Sequence, residues 1–527
     1  MTRQPKPLRI KRLTLTDFRA FPGPAPAHFD LDGKNLLVYG ENGAGKSSIY
    51  HALSGFFSLK PPKSLRYHRN VFSDEPETNC AVTVEFNDGA QSASWRLQNT
   101  SGAMGASALG THALASLPVR EFHPATVSGG DARVIQTALR RACLDYRALL
   151  DTNYKHGDGA VNLFGIAIER LLADYPITVA GGAARTIGEL WQAVERAKPK
   201  KHSTLHMERM NRACLDFNNG LRQALTALQP LVSNLLGVLI GAEITFLPFV
   251  FGGIYYNPAH YKRDRKIEGC SISLDIRFRG YQLGTPQHFL NEARLSALAL
   301  AIYLAGRLAC TPTATTTALK LLVLDDVLVG LDHSNRMPVL DVLNTKFSDW
   351  QVVLLTHDRN WFDLARSHLP EATWKCAEVF EGDGASIAPI PIVRPTQNRP
   401  ARALLDKARE LIQTPYVEAA ANYARQAFEL GIRVACEVKG IAMPYRVYPK
   451  TDKPPLQAQD FLDKLKAWPG SASVPKVDWD AALLRLETLK NVVMNPYSHP
   501  SAPNIPKQEI EQAVDAVDNF LKLAAKK

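Results

Sequence analysis

The sequence predicts an α/β chain built on parallel strands, interrupted by a short helical insertion and closed by an all-α bundle. Three observations carry that expectation. The apolar run "NLLV" leads into the glycine-rich "YGENGAGKSS", Tyr39 to Ser48, and then into the helix-like "IYHALSGFF". Far downstream, "LLVL" at 321–324 and "WQVVLL" at 350–355 have the length and composition of fully buried strands, and each runs into acidic residues or a histidine. Beyond residue 402 the pattern is amphipathic and helical throughout.

The first turn is the most informative. Gly40 to Ser47 fits G-x-x-x-x-G-K-[ST], in which glycines let backbone N–H groups wrap phosphates, Lys46 reaches the outer pair and the Ser47 hydroxyl ligates Mg²⁺. The following helix adds its positive N-terminal end. The implied ligands are ATP and Mg²⁺, with Gly40, Asn42, Gly43, Gly45, Lys46, Ser47 and Ser48 as binding residues. Such a loop serves kinases, GTPases and motors alike, so the rest of the site must come from elsewhere. The run Leu321 to Leu324, followed by Asp325-Asp326, reads as a Walker B strand. Asp325 would hold Mg²⁺ through water and Asp326 would orient or deprotonate the attacking water. Thr356-His357-Asp358 end the next strand, at the sheet edge where open α/β folds bind ligands.

"LRIKRLTLTDFRAF", "VLDDVLVGLD" and "LLTHD" together resemble the RecF/SMC-type branch of the ABC ATPase superfamily, from Arg9 to about Asp363. The resemblance implies an α/β P-loop ABC-ATPase head with composite sites formed by a homo-oligomer, at least a dimer. It also implies that Asp332 belongs to the D-loop, that His357 senses the γ-phosphate and that Arg19 approaches the nucleotide. The signature motif would lie at "LNEAR", Leu290 to Arg294, with Asn291 as the polar contact and Ala293 in place of the usual glycine. Asp-Asp, where most relatives have Asp-Glu, implies slow hydrolysis. Gln136 in "VIQTALRRACLDYRALL" is the Q-loop candidate, with a solvated helix position as the alternative.

The expected organisation is an N-lobe at 1–150, a helical insertion with return to the head at 151–283, a C-lobe at 284–387, a proline-rich linker at 388–402 and a helical domain at 403–527. A net charge of +11 and the basic clusters "KPKKH" and "HYKRDRK", with Tyr255, Tyr256 and Tyr261 beside the second, suit a nucleic-acid partner as well as solvated loops. Seven cysteines, an odd number with no C-x-x-C pair, argue against a disulfide or zinc framework. Without an apparent signal peptide or an apolar run approaching about 18 residues, the expectation is a cytoplasmic protein with no membrane partner.

In the last domain Arg425 and Glu429 share a helix face, and His499 lies on a distant segment. The set resembles the Arg-x-x-x-Glu and later His of the PrrC and RloC anticodon nucleases, HEPN-type ribonucleases fused to ABC ATPases. That resemblance implies metal-independent tRNA cleavage through the ribose 2′-OH. Histidine would move the proton, arginine stabilise phosphate charge and glutamate support the site. The commoner HEPN spacing is absent, since Lys490, Asn491 and Val492 stand five to seven places after Arg485. The alternatives are a surface ion pair on a docking module, as in the Septu- and retron-associated ATPases that act with a separate nuclease subunit, or a repair ATPase acting on DNA ends. The functional classes are therefore a bacterial defence or toxin effector and an ATPase sensor or scaffold.

Overall fold

The computed structural model describes residues 7–58, 69–70, 72–73, 79–96, 131–138, 143–150, 161–178, 184–199, 204–259, 261, 264–310, 318–382, 390–396, 400–414, 417–443, 456–494 and 506–526. The chain forms two compact units, Met1–Pro395 and Thr396–Lys527.

A six-stranded sheet organises the first unit. Its order is Ile390–Thr396, Trp374–Gly382, Asn35–Gly40, Gln351–Thr356, Leu321–Asp325 and Cys143–Asp145. Asn35–Gly40, Gln351–Thr356 and Leu321–Asp325 pair in parallel, with Leu324 beside Leu354 and Leu355 beside Val38. Both faces of these strands are covered, which explains their unbroken apolar runs. Leu37, Leu322, Leu324, Val352 and Leu354 face one core, built with the inserted helices. Leu36, Val38, Leu321, Val323, Val353 and Leu355 face the other, shared with an antiparallel sheet of Ala27–Asp30, Ile10–Thr16, Ala81–Phe86 and Ala93–Arg96. Strand polarity thus brings the ends at Gly40, Asp145, Asp325 and Thr356 to one edge.

The insertion contains the helices Ile187–Ala197 and Thr204–Ile240. It also contains short strands between Ile244 and Leu283, which the helical expectation did not include. The expectation that no run approaches a membrane span was too strict. Within the Thr204–Glu243 stretch, which has the required length, an 18-residue window reaches a mean hydropathy of 1.6. Its apolarity is accounted for by a stripe at helical spacing, including Met210, Phe217, Leu221, Ala224, Leu228, Val232 and Leu239, buried in the first core. The proline-rich segment also differs from a plain linker. Ile390–Thr396 is an edge strand, a place that tolerates Pro391 and Pro395 because one side of it carries no ladder.

The second unit contains the helices Pro400–Ile412, Val417–Val438, Ala458–Lys466, Lys476–Leu489 and Lys507–Ala525 around their own core. Small residues at Ala420, Ala424, Ala427, Gly431 and Ala435 allow close helix approach. A Cβ on Gly431 would come within 2.7 Å of Leu521 Cδ2. Trp479 fills the centre and donates its indole N–H to the Leu465 carbonyl at 2.9 Å.

Candidate active site

The phosphate-binding loop is a steep turn between the Asn35–Gly40 strand and the Lys46–Phe56 helix. Gly45 caps the helix at φ 101°, a left-handed conformation that favours glycine. Gly40 is needed for space, since a Cβ there would lie 2.8 Å from both Lys46 Cγ and the Val379 carbonyl. Asn42, Gly43 and Ser47 are exposed at the mouth, while Lys46 and Ser48 are buried beneath it. Lys46 Nζ donates to the Glu41 carbonyl at 3.1 Å. Burial lowers its pKa, and the nearby carboxylates of Asp326 and Asp325 oppose that shift. A buried lysine behind a mouth of exposed loop residues suits a multiply charged anion.

The two Walker B aspartates differ in environment. Asp325 ends its strand 7% exposed, and burial pushes its carboxyl up to about 6 against the opposing pull of a hydrogen bond from Ser47 and of Lys46. Its Oδ1 is buried with no hydrogen-bond partner. A carboxylate with one orphaned oxygen, beside a serine hydroxyl, fits a hard, oxygen-seeking cation. Among the described residues no cluster of three or more His, Cys, Asp or Glu can hold a metal by itself. That suits Mg²⁺, which takes one or two protein oxygens and completes its shell with phosphate and water. Asp326 turns away at φ 52°. Its Oδ1 accepts from the His357 backbone N–H at 3.0 Å and lies 3.0 Å from His357 Nδ1. The tautomer donating from Nδ1 leaves Nε2 as an acceptor. The residues read separately as a water-orienting acid and a γ-phosphate sensor are therefore bonded to each other.

Arg19 lines a cavity of about 350 Å³ beside the loop, with Gly43, Ala44, Ser48, Arg69, Asn70, Phe72 and Glu381. Its φ of 52° is held by a neighbouring strap: Asn70 donates to the Arg19 carbonyl at 2.6 Å, and Arg69 pairs with buried Asp17 at 3.2 Å. Asn291 is exposed and caps the Glu292–Ala309 helix, accepting from the Arg294 N–H at 3.1 Å. Ala293, which replaces the expected glycine, is buried at the start of that helix. Asp332 precedes the His333–Lys346 helix, exposed and making no capping bond with its side chain.

Gln136 is exposed on the short Ala132–Ala138 helix, in keeping with the solvated-helix alternative. Other expectations require correction. The strand end beside the Walker B strand carries Asp145, in parallel register with Asp325. Asp145 Oδ1 accepts from the Ala148 N–H at 2.7 Å, and Tyr146 donates to Glu292 at 3.0 Å. The text around "ACLDYR" reads as one helix, which hid a three-residue strand. Tyr256 is buried in the core, so it cannot stack on bases, whereas Tyr255 and Tyr261 are exposed. An open groove of about 870 Å³ is lined by Arg185, Arg196, Lys198, His206 and Arg209, with Glu189 opposing them. Lys200, Lys201 and His202 of the first basic cluster, and His260, Lys262 and Arg263 of the second, lie outside the described residues.

In the second unit Arg425 Nε donates to Glu429 Oε1 at 2.9 Å, one helical turn on, with both side chains about a third exposed. His499 lies outside the described residues, so its proximity to that pair is not part of the structure.

Comparison with known proteins places these features in context. A protein-family profile described as an AAA domain matches residues 12–121. The DNA replication and repair protein RecF of Rhizobium leguminosarum bv. trifolii is 42% identical over 62 residues, and that of Rhizobium etli 40% over 62. Each match covers 12% of this chain and spans 15% of the length of the curated relative. Among solved structures, the recombination mediator RecF–ATP is similar with a TM-score of 0.45 at 12% identity, covering 75% of this chain and all of that one. The Smc head domain from Pyrococcus furiosus, bound to the C-terminal domain of ScpA, has a TM-score of 0.40 at 14% identity over 76% of this chain and 100% of that one.

Proposed function

We propose that the first unit is a RecF/SMC-like ABC ATPase that binds ATP with Mg²⁺ and hydrolyses it slowly in an ATP-linked homodimer. The observation that carries this reading is the juxtaposition of buried Lys46, orphaned Asp325 Oδ1 and the Asp326–His357 pair at one edge of the parallel sheet. Lys46 and the loop amides neutralise the phosphates. Ser47 and Asp325 would hold Mg²⁺, which when bound withdraws charge from the phosphoryl oxygens. Asp326 fixes the imidazole, and the two orient a water in line with the γ-phosphorus and take its proton as ADP departs. Asn291 and Asp332, both exposed, would meet the nucleotide face of a second copy. Lys46→Ala is expected to lose ATP binding by two orders of magnitude or more, because hydrogen bonds to charged groups are worth about 1.5–3 kcal/mol each. Equal affinities in calorimetry would refute the assignment.

For the second unit the proposal is an ATP-gated, tRNA anticodon-nuclease-like activity in a bacterial defence or toxin system, with Arg425, Glu429 and His499 as its groups. It rests on the resemblance of those residues to the HEPN nucleases. The Arg425–Glu429 ion pair serves equally well on a docking surface for a separate nuclease subunit. The "DNA replication and repair" name of the RecF relatives supports a third possibility, an ATPase acting on DNA ends. Incubating total tRNA with wild-type and His499→Ala protein, with and without ATP, separates the nuclease from the other two readings. Cleavage lost in the variant, with ATP turnover intact, supports the nuclease. No cleavage by the wild type under any nucleotide condition removes it.

A further inference from the structure

The loop joining the Leu321–Asp325 strand to the His333–Lys346 helix is gripped from two sides. On one side Gly330 approaches the Glu292–Ala309 helix so closely that a Cβ would come 2.2 Å from Ser296 Oγ and 3.7 Å from Glu292 Oε1. Even alanine there would force the Ser296 hydroxyl to turn aside and press on Ser296 Cβ at 3.1 Å. On the other side Arg336 reaches back from its own helix, its side chain only 11% exposed. Its Nε donates to the Leu331 carbonyl at 2.9 Å, one terminal nitrogen reaches the Val329 carbonyl at 3.4 Å, and the other binds Asp358 Oδ2 at 2.6 Å. Asp358 follows His357, and its Oδ1 caps the next helix by accepting from the Trp361 N–H at 3.0 Å.

We propose that Arg336 is a positioning residue for hydrolysis: it locks the Val329–Leu331 backbone and the His357–Asp358 turn into one piece, wedged against the helix capped by Asn291. The inference rests on reading Asp326 and His357 as the hydrolytic groups. Asp326 is held at φ 52°, which a non-glycine residue keeps only when its surroundings over-determine it. Its carbonyl accepts from the Val329 N–H at 3.3 Å, so the strained residue leads straight into the backbone that Arg336 holds. Its carboxylate is bonded to His357, whose neighbour Arg336 also holds. Because Gly330 has no clearance from Ser296, a shift of the Asn291-capped turn displaces this assembly. A planar guanidinium is required, since its fixed fork serves two carbonyls and a carboxylate at once, whereas an ammonium acts as a point charge.

The test compares wild type with Arg336→Lys, which keeps the charge beside Asp358 but loses the fork, and Arg336→Met, which loses both. Three quantities are read: ATP affinity, kcat, and amide hydrogen exchange at Val329 and Leu331. Both variants should keep ATP affinity within about threefold, lose at least about tenfold in kcat and exchange those amides faster. Wild-type kcat in Arg336→Lys would overturn the proposal, reducing the contact to an ion pair. Parallel losses of affinity, kcat and thermal stability would also overturn it, as the mark of a general structural role. Should Arg336→Met not fold, Arg336→Lys decides. Should the wild type show no turnover, the ATPase reading fails on its own, and the exchange rates still judge the clamp: unchanged exchange at Val329 and Leu331 sinks it.

Discussion

Asp325→Asn should stabilise the metal-free head while abolishing its response to Mg²⁺. Burial raises this carboxyl from 3.8 to about 6. A raised folded pKa means that the folded state binds the extra proton, so stability is fully present below the unfolded pKa and is lost as pH rises through the folded one. About two pKa units correspond to about 3 kcal/mol of destabilisation by the ionised group at neutral pH. Asparagine keeps the shape and can still meet Ser47, but carries no charge to desolvate. With an unfolding entropy of about 2.1 cal/mol/K per residue, a head of this size would gain about 4 °C. The gap should close below about pH 4, open between pH 4 and 6, and stay constant above that range. Scans of both proteins in chelator, then with Mg²⁺ and ATP, are the assay. With ligand the order should reverse, because the variant keeps the phosphate contacts of Lys46 and the loop but loses the larger gain that Mg²⁺ gives the wild type. A metal-free Asp325→Asn protein that melts below wild type at pH 7.5 would show that the carboxylate is structurally satisfied and the orphaned oxygen is no metal ligand.

Asp326→Asn should retain ATP binding and stop turnover, because Ser47 and Asp325 still hold the metal; undiminished phosphate release would place the hydrolytic role elsewhere. The same protein should associate on adding ATP, as an increase in mass by light scattering, and a monomer in both states would rule out a composite site. Asp145→Asn should lower turnover more than ATP affinity, since its register beside Asp325 puts its charge near the metal position; unchanged kinetics would leave it a helix cap. In the second unit Asp518 is buried, which raises its pKa, but Lys522 and Arg409 outweigh that and hold it below the usual carboxylate range. Its contribution is present above the unfolded pKa and lost as pH falls through the folded one. Asp518→Asn should cost about 1–2 kcal/mol at pH 7 and nothing in strong acid, read from hydrogen exchange in the Lys507–Ala525 helix. Equal exchange at pH 7 would show the ion pairs to be inert.

What could be read from the sequence followed from how far each signal reaches along the chain. Continuous apolar runs reported strands covered on both faces, and the glycine spacing of the phosphate loop reported a backbone that must bend and leave space at Gly40. Each is a local constraint written into consecutive residues. Asp145 escaped because its strand has three residues, too few for a period, and its neighbour in space, Asp325, is 180 residues away. Arg336 escaped for a related reason: two of its three partners are carbonyls, which any residue supplies, and the third, Asp358, lies 22 residues away. The edge strand at Ile390–Thr396 was obscured by its prolines, which mark a boundary in most settings and are tolerated here by a sheet edge.

Departures from local rules separate into two kinds, and the separation bears on function. Among the described residues, five non-glycine residues have a left-handed φ: Asp17, Arg19, Asp32, Arg279 and Asp326. Asp32 and Arg279 each precede a glycine of positive φ in a tight connection, where aspartate-glycine and similar pairs turn a chain at little cost. The other three have no such partner. Arg19 lines the cavity beside the phosphate loop and Asp17 is buried two residues before it, both tied down by Arg69 and Asn70; Asp326 is tied down by Leu355, His357 and, through Val329, by Arg336. Strain of about 1–3 kcal/mol each, a buried ammonium and an orphaned carboxylate oxygen all lie around one sheet edge. A surface selected for stability alone would have relaxed them. Their convergence supports a preorganised anion and cation site at the head, independently of any motif. The Arg425–Glu429 pair shows the opposite character, being part-exposed and unstrained on a regular helix, so any chemistry in the second unit must come from what that pair meets beyond its own helix.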